Sequence, residues 1–447
     1  MLHALRHRGL FRRIESIEGE KGRVTLGCSW HEGAKQDIAR SRTALAVLNG
    51  SFYGTRPELN AGHVLRQVKI LSANAAVRQA TLRIGGFAGL VGEKDGIFAF
   101  RDVNGLKPLY FMHSPHLTAF ASERKALWRI GLRHPRAVTP GSTIHLARNR
   151  ITKRRIVHFP SPTERMMTFH QASAGLRRLL SASIRRITRR AGKVCVAFSG
   201  GLDSALTAAM AKKAGIDIEA VSVGLTGSPE ASTVEKFASL LGLRVTIETF
   251  PTDSIEEYVR RVLWLIEEPN IMKLSVAIPL HWAARVAARR GCRVMLCGQG
   301  SDELYGGYNK YANTLRLRGR RALSHQLYTS VIESSTVNYE RDDQATSTFP
   351  VELRTPFADP DLIRFSLSIP SEFKVKDGND VTRKWVLRDV ASKIGIPSDI
   401  VWRRKKAIQH GTGVEKAIIK LARSRSLKPE EYLTSILQEV SRMGSIP

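Results

Sequence analysis

The chain is poor in acids. Its 447 residues carry 40 Asp+Glu against 70 Lys+Arg, a net charge of +30. It has no apolar run long enough to span a bilayer, which excludes a helical membrane anchor within these residues. Cysteines number four, at 28, 195, 292 and 297, and their spacing matches neither a zinc module nor a disulfide framework. Such sparse cysteines fit a reducing compartment and a cytoplasmic location. Aromatics make up 7% and show no interleaving with basic residues of the kind RNA-binding modules use. The positive charge therefore raises a polyanion such as nucleic acid as a partner without favouring it over an anionic small substrate. A Walker loop is also missing, since no Gly-Lys-Ser/Thr occurs in the required frame. The hydrophobic content of 43% and charged content of 25% are those of a globular protein of two or three domains.

Against these absences one stretch stands out. Val194-Cys195-Val196-Ala197-Phe198 is a short apolar run that predicts a buried strand. Ser199-Gly200-Gly201 interrupts it, and Leu202 to Ala214 reads as a helix rich in Ala, Leu and Lys. A strand, a glycine turn and a helix start present free backbone N–H groups and a positive dipole end, which suit a phosphate. Ser199 and Ser204 can donate to phosphate oxygens, whereas Asp203 would repel a bare phosphate and makes sense as a ligand of a bridging magnesium ion. Taken alone, the same residues are also compatible with a plain capped helix. A second turn, Cys297-Gly298-Gln299-Gly300-Ser301-Asp302-Glu303, repeats the pattern after the strand candidate Arg293 to Cys297. Two such strand ends, each with an Asp just beyond glycines, can hold one metal ion and one triphosphate between them.

Residues 1–150 are dense in short strand candidates, among them 24–26, 44–48, 86–91, 96–100, 108–112 and 117–121, separated by Gly, Asn and Pro. This predicts an α+β domain on antiparallel sheets. Residues 151–170 are basic and proline-containing and are expected to form a linker. Thr168 to Arg190 carries Leu176, Leu180, Ile184 and Ile187 at helical spacing. From there to about 297 strands and helices alternate, which predicts a doubly wound parallel sheet with ligands at the carboxyl ends of its strands. Helices follow to about 425, and residues 426–447 are expected to be a polar, loosely ordered tail. The N-terminus, Arg-rich and free of acids until Glu15, has the composition of a transit peptide but no apolar core for a secretory signal.

With both turns in view, the chain resembles the glutamine-dependent asparagine synthetase family. SGGLDS at 199–204 is similar to the pyrophosphate loop of N-type ATP pyrophosphatases, and CGQGSDELYGGY at 297–308 to the family's second loop. Val351-Glu352-Leu353-Arg354-Thr355-Pro356-Phe357 follows, then Arg383-Lys384-Trp385-Val386-Leu387-Arg388 and Trp402-Arg403-Arg404-Lys405, in the family's order. Upstream, His7-Arg8-Gly9, Asn49-Gly50, Arg101-Asp102-Val103-Asn104-Gly105 and Pro140-Gly141 also match, which makes the N-terminus part of the fold. The resemblance spans residues 4–422. It implies an Ntn-hydrolase-like glutamine amidotransferase domain, then a synthetase domain of the adenine nucleotide alpha hydrolase type. It also implies a two-step reaction with ATP and magnesium: a carboxylate, aspartate in the family, is adenylated with release of pyrophosphate, and ammonia then displaces AMP. On this resemblance Asp203 and Asp302 hold the metal, and Ser199, Gly200, Gly201, Ser204 and Ser301 cradle the pyrophosphate. Val223 and Gly298 border the nucleoside, and Lys405 stabilises charge on the transferring phosphorus. By analogy with the family the substrates are small molecules and a homodimer is the expected assembly, with no membrane partner.

The sequence departs from the family in two places. The N-terminal nucleophilic cysteine has no counterpart, because Leu2 follows Met1 and the family's first strand is missing before His7. Cys28 lies too far along to replace it. Ser51 stands where the family has an acid after Asn-Gly, and Ile84 where it has an aspartate. A misplaced start codon would explain the cysteine but not Ser51 or Ile84, so glutamine hydrolysis is expected to be lost, with Asn49 and Gly50 as vestiges. The other departure is Gln299, where most members carry a glutamate suited to accept a proton from ammonium. Three readings stay open: an ammonia-dependent amide ligase, an adenylating ligase with another carboxylate or amine, and a non-catalytic scaffold.

Overall fold

The computed structural model describes residues 1–19, 22–32, 37–54, 60–94, 96–114, 116–147, 150–228, 230–404 and 411–443. The N-terminal third builds a six-stranded antiparallel sheet in the order 150–155, 142–147, 96–101, 85–93, 44–52 and 38–40. Its central strands, Ala44–Phe52 and Gly85–Glu93, pair over nine residues, with Asn49 opposite Ala88 and Gly50 opposite Phe87. Helices Asn60–Ile70 and Ala73–Thr81 cover one face, where Val64, Leu65 and Val77 pack against Phe87, Val91 and Phe100. A hairpin, Phe11–Gly19 with Gly22–Trp30, lies against this sheet; its leading strand is too rich in charge to stand out from the sequence. This is the expected α+β architecture.

The second half is a five-stranded parallel sheet in the order 245–250, 218–225, 194–197, 294–296 and 352–354. Chain order runs outward from the central strand Val194–Ala197 in one direction and then resumes on its other side with Val294–Leu296. That reversal opens a crevice at the carboxyl ends of these two strands. The helix Phe169–Thr188, started by a capping box of Thr168 and Gln171, buries Leu176, Leu180 and Ile184 against Ala205 and Leu206 of the helix Leu202–Lys213. On the opposite face the long helix Ile271–Arg289 packs Ala283, Ala284 and Ala287 onto Cys195 and Met295.

Two expectations are corrected. The strand Arg150–Arg155 runs into the stretch 151–170 expected as linker; its neighbour Ser142–Ala147 supplies a full register of backbone partners, so basic side chains are tolerated on an exposed edge. The stretch expected as a loose tail contains the helix Pro429–Met443. Its Tyr432, Leu433, Ile436 and Val440 fall on one face and pack against Val259 and Val262, burial that composition does not reveal.

The two halves meet through buried charge. The helix Glu340–Thr346 is wholly buried, and Glu340 accepts from Arg101 (2.9 Å) and from the hydroxyl of Tyr110 (2.6 Å). Asp343 takes Lys107 (2.6 Å) and Arg8 (2.9 Å). The N-terminal turn Leu2–Arg8 is thus fixed from the second half through Arg8, while His7 and Arg8 both bind Glu123.

Candidate active site

The two glycine turns are neighbours because their strands are. Val196 pairs with Leu296, so both turns leave the sheet side by side. Gly298 is required by that proximity: a Cβ there would lie 2.6 Å from the Cβ of Asp203. Gly200 takes φ +68°, a left-handed conformation that aims the turn back into the helix. Within the first turn the Oγ of Ser204 donates to the Gly201 carbonyl (3.0 Å) and lies 3.3 Å from the Oγ of Ser199. Gly201 is the N-cap of the helix and has no side chain to satisfy the first N–H groups.

Asp203 and Asp302 converge. The Nζ of Lys384 sits between them, 2.7 Å from both oxygens of Asp203 and 2.6 Å from Asp302. Burial works against the charge on Lys384, but the two carboxylates outweigh it and hold its pKa above the ordinary lysine value. Ser301 is fully buried, and its Oγ donates to Asp203 (2.7 Å), which orients that carboxylate. Arg383 and Lys384 both adopt positive φ, 53° and 57°. Asp380 holds this strained corner by accepting from the backbone of Thr382 and Arg383, each at 2.8 Å.

Around these groups lies a cavity of about 580 Å³. Ser199, Gly201, Asp203 and Ser204 line one end, and Gln299, Asp302 and Glu303 line another. Its apolar wall comes from Val221, Val223, Ile247, Pro279 and Leu280, a surface suited to a flat base, with Gly298 at the junction. Arg403 closes it from the side, donating to the Gly200 carbonyl (3.1 Å) and to Glu230 (2.6 Å). Gly200 itself is reached through its carbonyl. Lys405 lies outside the described residues, two positions beyond Arg403. No cluster of three or more metal-ligating side chains occurs among the described residues. The paired carboxylates still fit magnesium, because a cation already rests between them and this ion takes one or two carboxylates plus phosphate oxygens.

A second cavity, of about 870 Å³, lies between the antiparallel sheet and the parallel one. Asn49, Gly50, Ser51 and Cys28 line it. Burial, reinforced by Asp37, pushes the Cys28 thiol up to about 11, so it is not a thiolate nucleophile near neutral pH. Ser51 donates to Glu352 (2.9 Å), and Glu352 in turn holds Arg354 (2.6 Å). The Asn49 side chain lies 3.5 Å from the hydroxyl of Ser122. Asp359, by contrast, has a structural place: it caps the helix Pro360–Ser368 and binds Arg186.

Lys384 is the residue sequence reasoning passed over. It lies in a quoted stretch, but only the left-handed corner at 383–384 turns it inward. A buried basic pair just before the helix Trp385–Lys393 was the available signal.

The asparagine synthase family model matches residues 175–335 and 315–434. A Methanocaldococcus jannaschii protein assigned as a glutamine-hydrolysing asparagine synthetase is 33% identical over 393 residues, covering 74% of this chain and 72% of its own. A Schizosaccharomyces pombe protein with the same assignment is 28% identical, covering 72% of this chain and 62% of its own. Asparagine synthetase B of Escherichia coli is 25% identical, covering 73% and 60%.

Proposed function

Because the chain belongs to the asparagine synthase family, a family of ATP-dependent amide ligases, we propose that it adenylates a carboxylate and converts the product to an amide with ammonia. The observation that carries this reading is the convergence of Asp203 and Asp302 on one cationic position, beside an unobstructed helix start. Magnesium bound there would neutralise the pyrophosphate leaving group; Asp203 and Asp302 would hold it. The N–H groups at Gly201 and Leu202, with Ser199 and Ser204, would bind phosphate oxygens. Val223 and its apolar neighbours would receive the adenine. Lys384 and Lys405 would supply positive charge to the phosphates. The carboxylate would attack the α-phosphorus, pyrophosphate would leave, and ammonia would then displace AMP. Aspartate is the first carboxylate to try.

Glutamine is not the nitrogen source in this reading. Cys28, the thiol in the cavity at Asn49 and Gly50, is pushed up to about 11 by burial, and Ser51 is committed to Glu352. The test is pyrophosphate release from ATP, magnesium and aspartate, with ammonium or glutamine as donor. Amide and pyrophosphate with ammonium alone are the expected result. Equal rates with glutamine would overturn the assignment of the donor, and no release with either would overturn the assignment of the carboxylate.

A further inference from the structure

Two segments bring cations to the first cavity. One is the corner at 382–384, which turns Lys384 onto Asp203 and Asp302. The other is the segment 401–403, whose Arg403 grips the Gly200 carbonyl in the first glycine turn. Both meet on one side chain. Arg388, in the helix Trp385–Lys393, is 2% exposed and lines the cavity. Its Nε donates to the Arg383 carbonyl (2.8 Å) and its Nη2 to the Thr382 carbonyl (2.7 Å). Its Nη1 donates to the Val401 carbonyl and lies 3.4 Å from the Arg403 carbonyl. A guanidinium carries five N–H groups in a rigid plane, so it can span two chain segments where a lysine cannot.

The corner needs such a hold. Arg383 and Lys384 sit at φ 53° and 57°, a conformation that side chains resist and that persists only when its surroundings over-determine it. Asp380 takes the N–H side of this corner, and Arg388 takes the carbonyl side. The second segment packs on the same group. The Trp402 ring centre lies 5.9 Å from the guanidinium carbon of Arg388, and Trp402 meets Trp385 at 5.6 Å. Arg403 is then oriented by Glu230 (2.6 Å). Gly200 is buried, at φ +68°, and has no side chain to oppose rotation of its peptide. A grip on its carbonyl therefore sets the direction of the Gly201 N–H, which points the opposite way from the same trans peptide. We propose that Arg388 is a positioning residue for adenylation: it ties the corner at 382–383 to the segment at 401–403, and so holds Lys384 and Arg403 in fixed relation to the two glycine turns. The proposal rests on the ligase reading above. Arg388 acts through these two cations and the Gly200 peptide. A displacement of about 1 Å in such groups costs about 10²-fold in rate.

Arg388→Lys keeps the charge but cannot reach four carbonyls. Exchange of pyrophosphate into ATP, with magnesium and aspartate, reads adenylation. At saturating ATP the exchange rate of Arg388→Lys should fall about 10²-fold. Arg388→Met, which also lacks the charge, should fall by about the same factor. Arg403→Gln breaks the grip on Gly200 at a half-buried position and should lose about tenfold. Because both variants loosen the same hold, the double variant Arg388→Lys, Arg403→Gln should be no slower than Arg388→Lys within about twofold. Losses that multiply to about 10³ would overturn the proposal and mark Arg388 as a structural residue, since a smaller folded fraction multiplies with any other defect. An Arg388→Lys rate close to the native one would overturn it as well, because charge alone would then suffice. Melting curves separate these results from misfolding. Should Arg388→Lys not fold, an unchanged exchange rate in Arg403→Gln overturns the proposal. A native chain that exchanges no pyrophosphate overturns the ligase reading, and this proposal with it.

Discussion

The molecule contains two cavities with opposite character. The one at the ends of the parallel strands keeps two carboxylates, a buried lysine and an open helix start within one hydrogen-bonded group. In the one between the sheets Ser51 is tied to Glu352, and burial, reinforced by Asp37, pushes the Cys28 thiol up to about 11. The antiparallel sheet around that second cavity nevertheless retains its nine-residue central pairing, and its charged contacts to the other half are buried. A sheet held by backbone pairing and apolar packing rests on many contacts, whereas a metal-phosphate site depends on a few side chains held to fractions of an ångström.

The sharpest way to break this contrast is Asp203→Ala. It removes one of the two carboxylates, and pyrophosphate release should drop about 10³-fold with the melting temperature nearly unchanged. Unchanged turnover would move the site elsewhere.

Next comes the seam between the halves. Glu340→Ala leaves Arg101 and Tyr110 without their buried acceptor and should cost about 3–5 kcal/mol in urea unfolding. If the two halves were independent, only a second, separate transition would move.

A smaller effect is expected from acid. His281 is buried, its Nδ1 lies 2.8 Å from the Ala345 carbonyl, and burial pushes its pKa down to about 4, with Arg261 and Arg285 adding to the fall. The unfolded imidazole binds a proton below about pH 6.5, and the folded one does not until about 4. Stability is therefore complete above the upper value and declines as pH falls toward the lower one. His7, pushed down to about 4 chiefly by burial, acts in the same window from the other half. Urea midpoints at pH 7.5 and 5 should draw together in His281→Asn, and further when His7 is also replaced.

The smallest expected effect is on glutamine. Ser51→Glu restores the family's acid beside Asn49 and Gly50, yet amide formation from glutamine should stay at background. A clear gain would show that the second cavity is one residue from activity.

Much of the first cavity was legible in the sequence. Glycines and acids adjacent in the chain fall adjacent in space when both follow parallel strands, so Asp203 and Asp302 were readable as a pair from their turns. Lys384 was not, because it reaches them from 82 and 181 positions away in sequence. The edge strand Arg150–Arg155 and the helix Pro429–Met443 were misread for a related reason. Both look polar along the chain, and only a backbone partner in one case and an apolar groove in the other makes order favourable.

By itself, then, the sequence determined the local devices: strand–glycine–helix turns and the period-2 and period-3.6 patterns. These depend on residues a few positions apart, where sterics and periodicity act directly. Tertiary structure alone decided which charges meet. The cationic position between Asp203 and Asp302 and the clasp of Ser51 on Glu352 arise from packing distant segments, and burial together with the neighbouring charges then sets the charge each group carries.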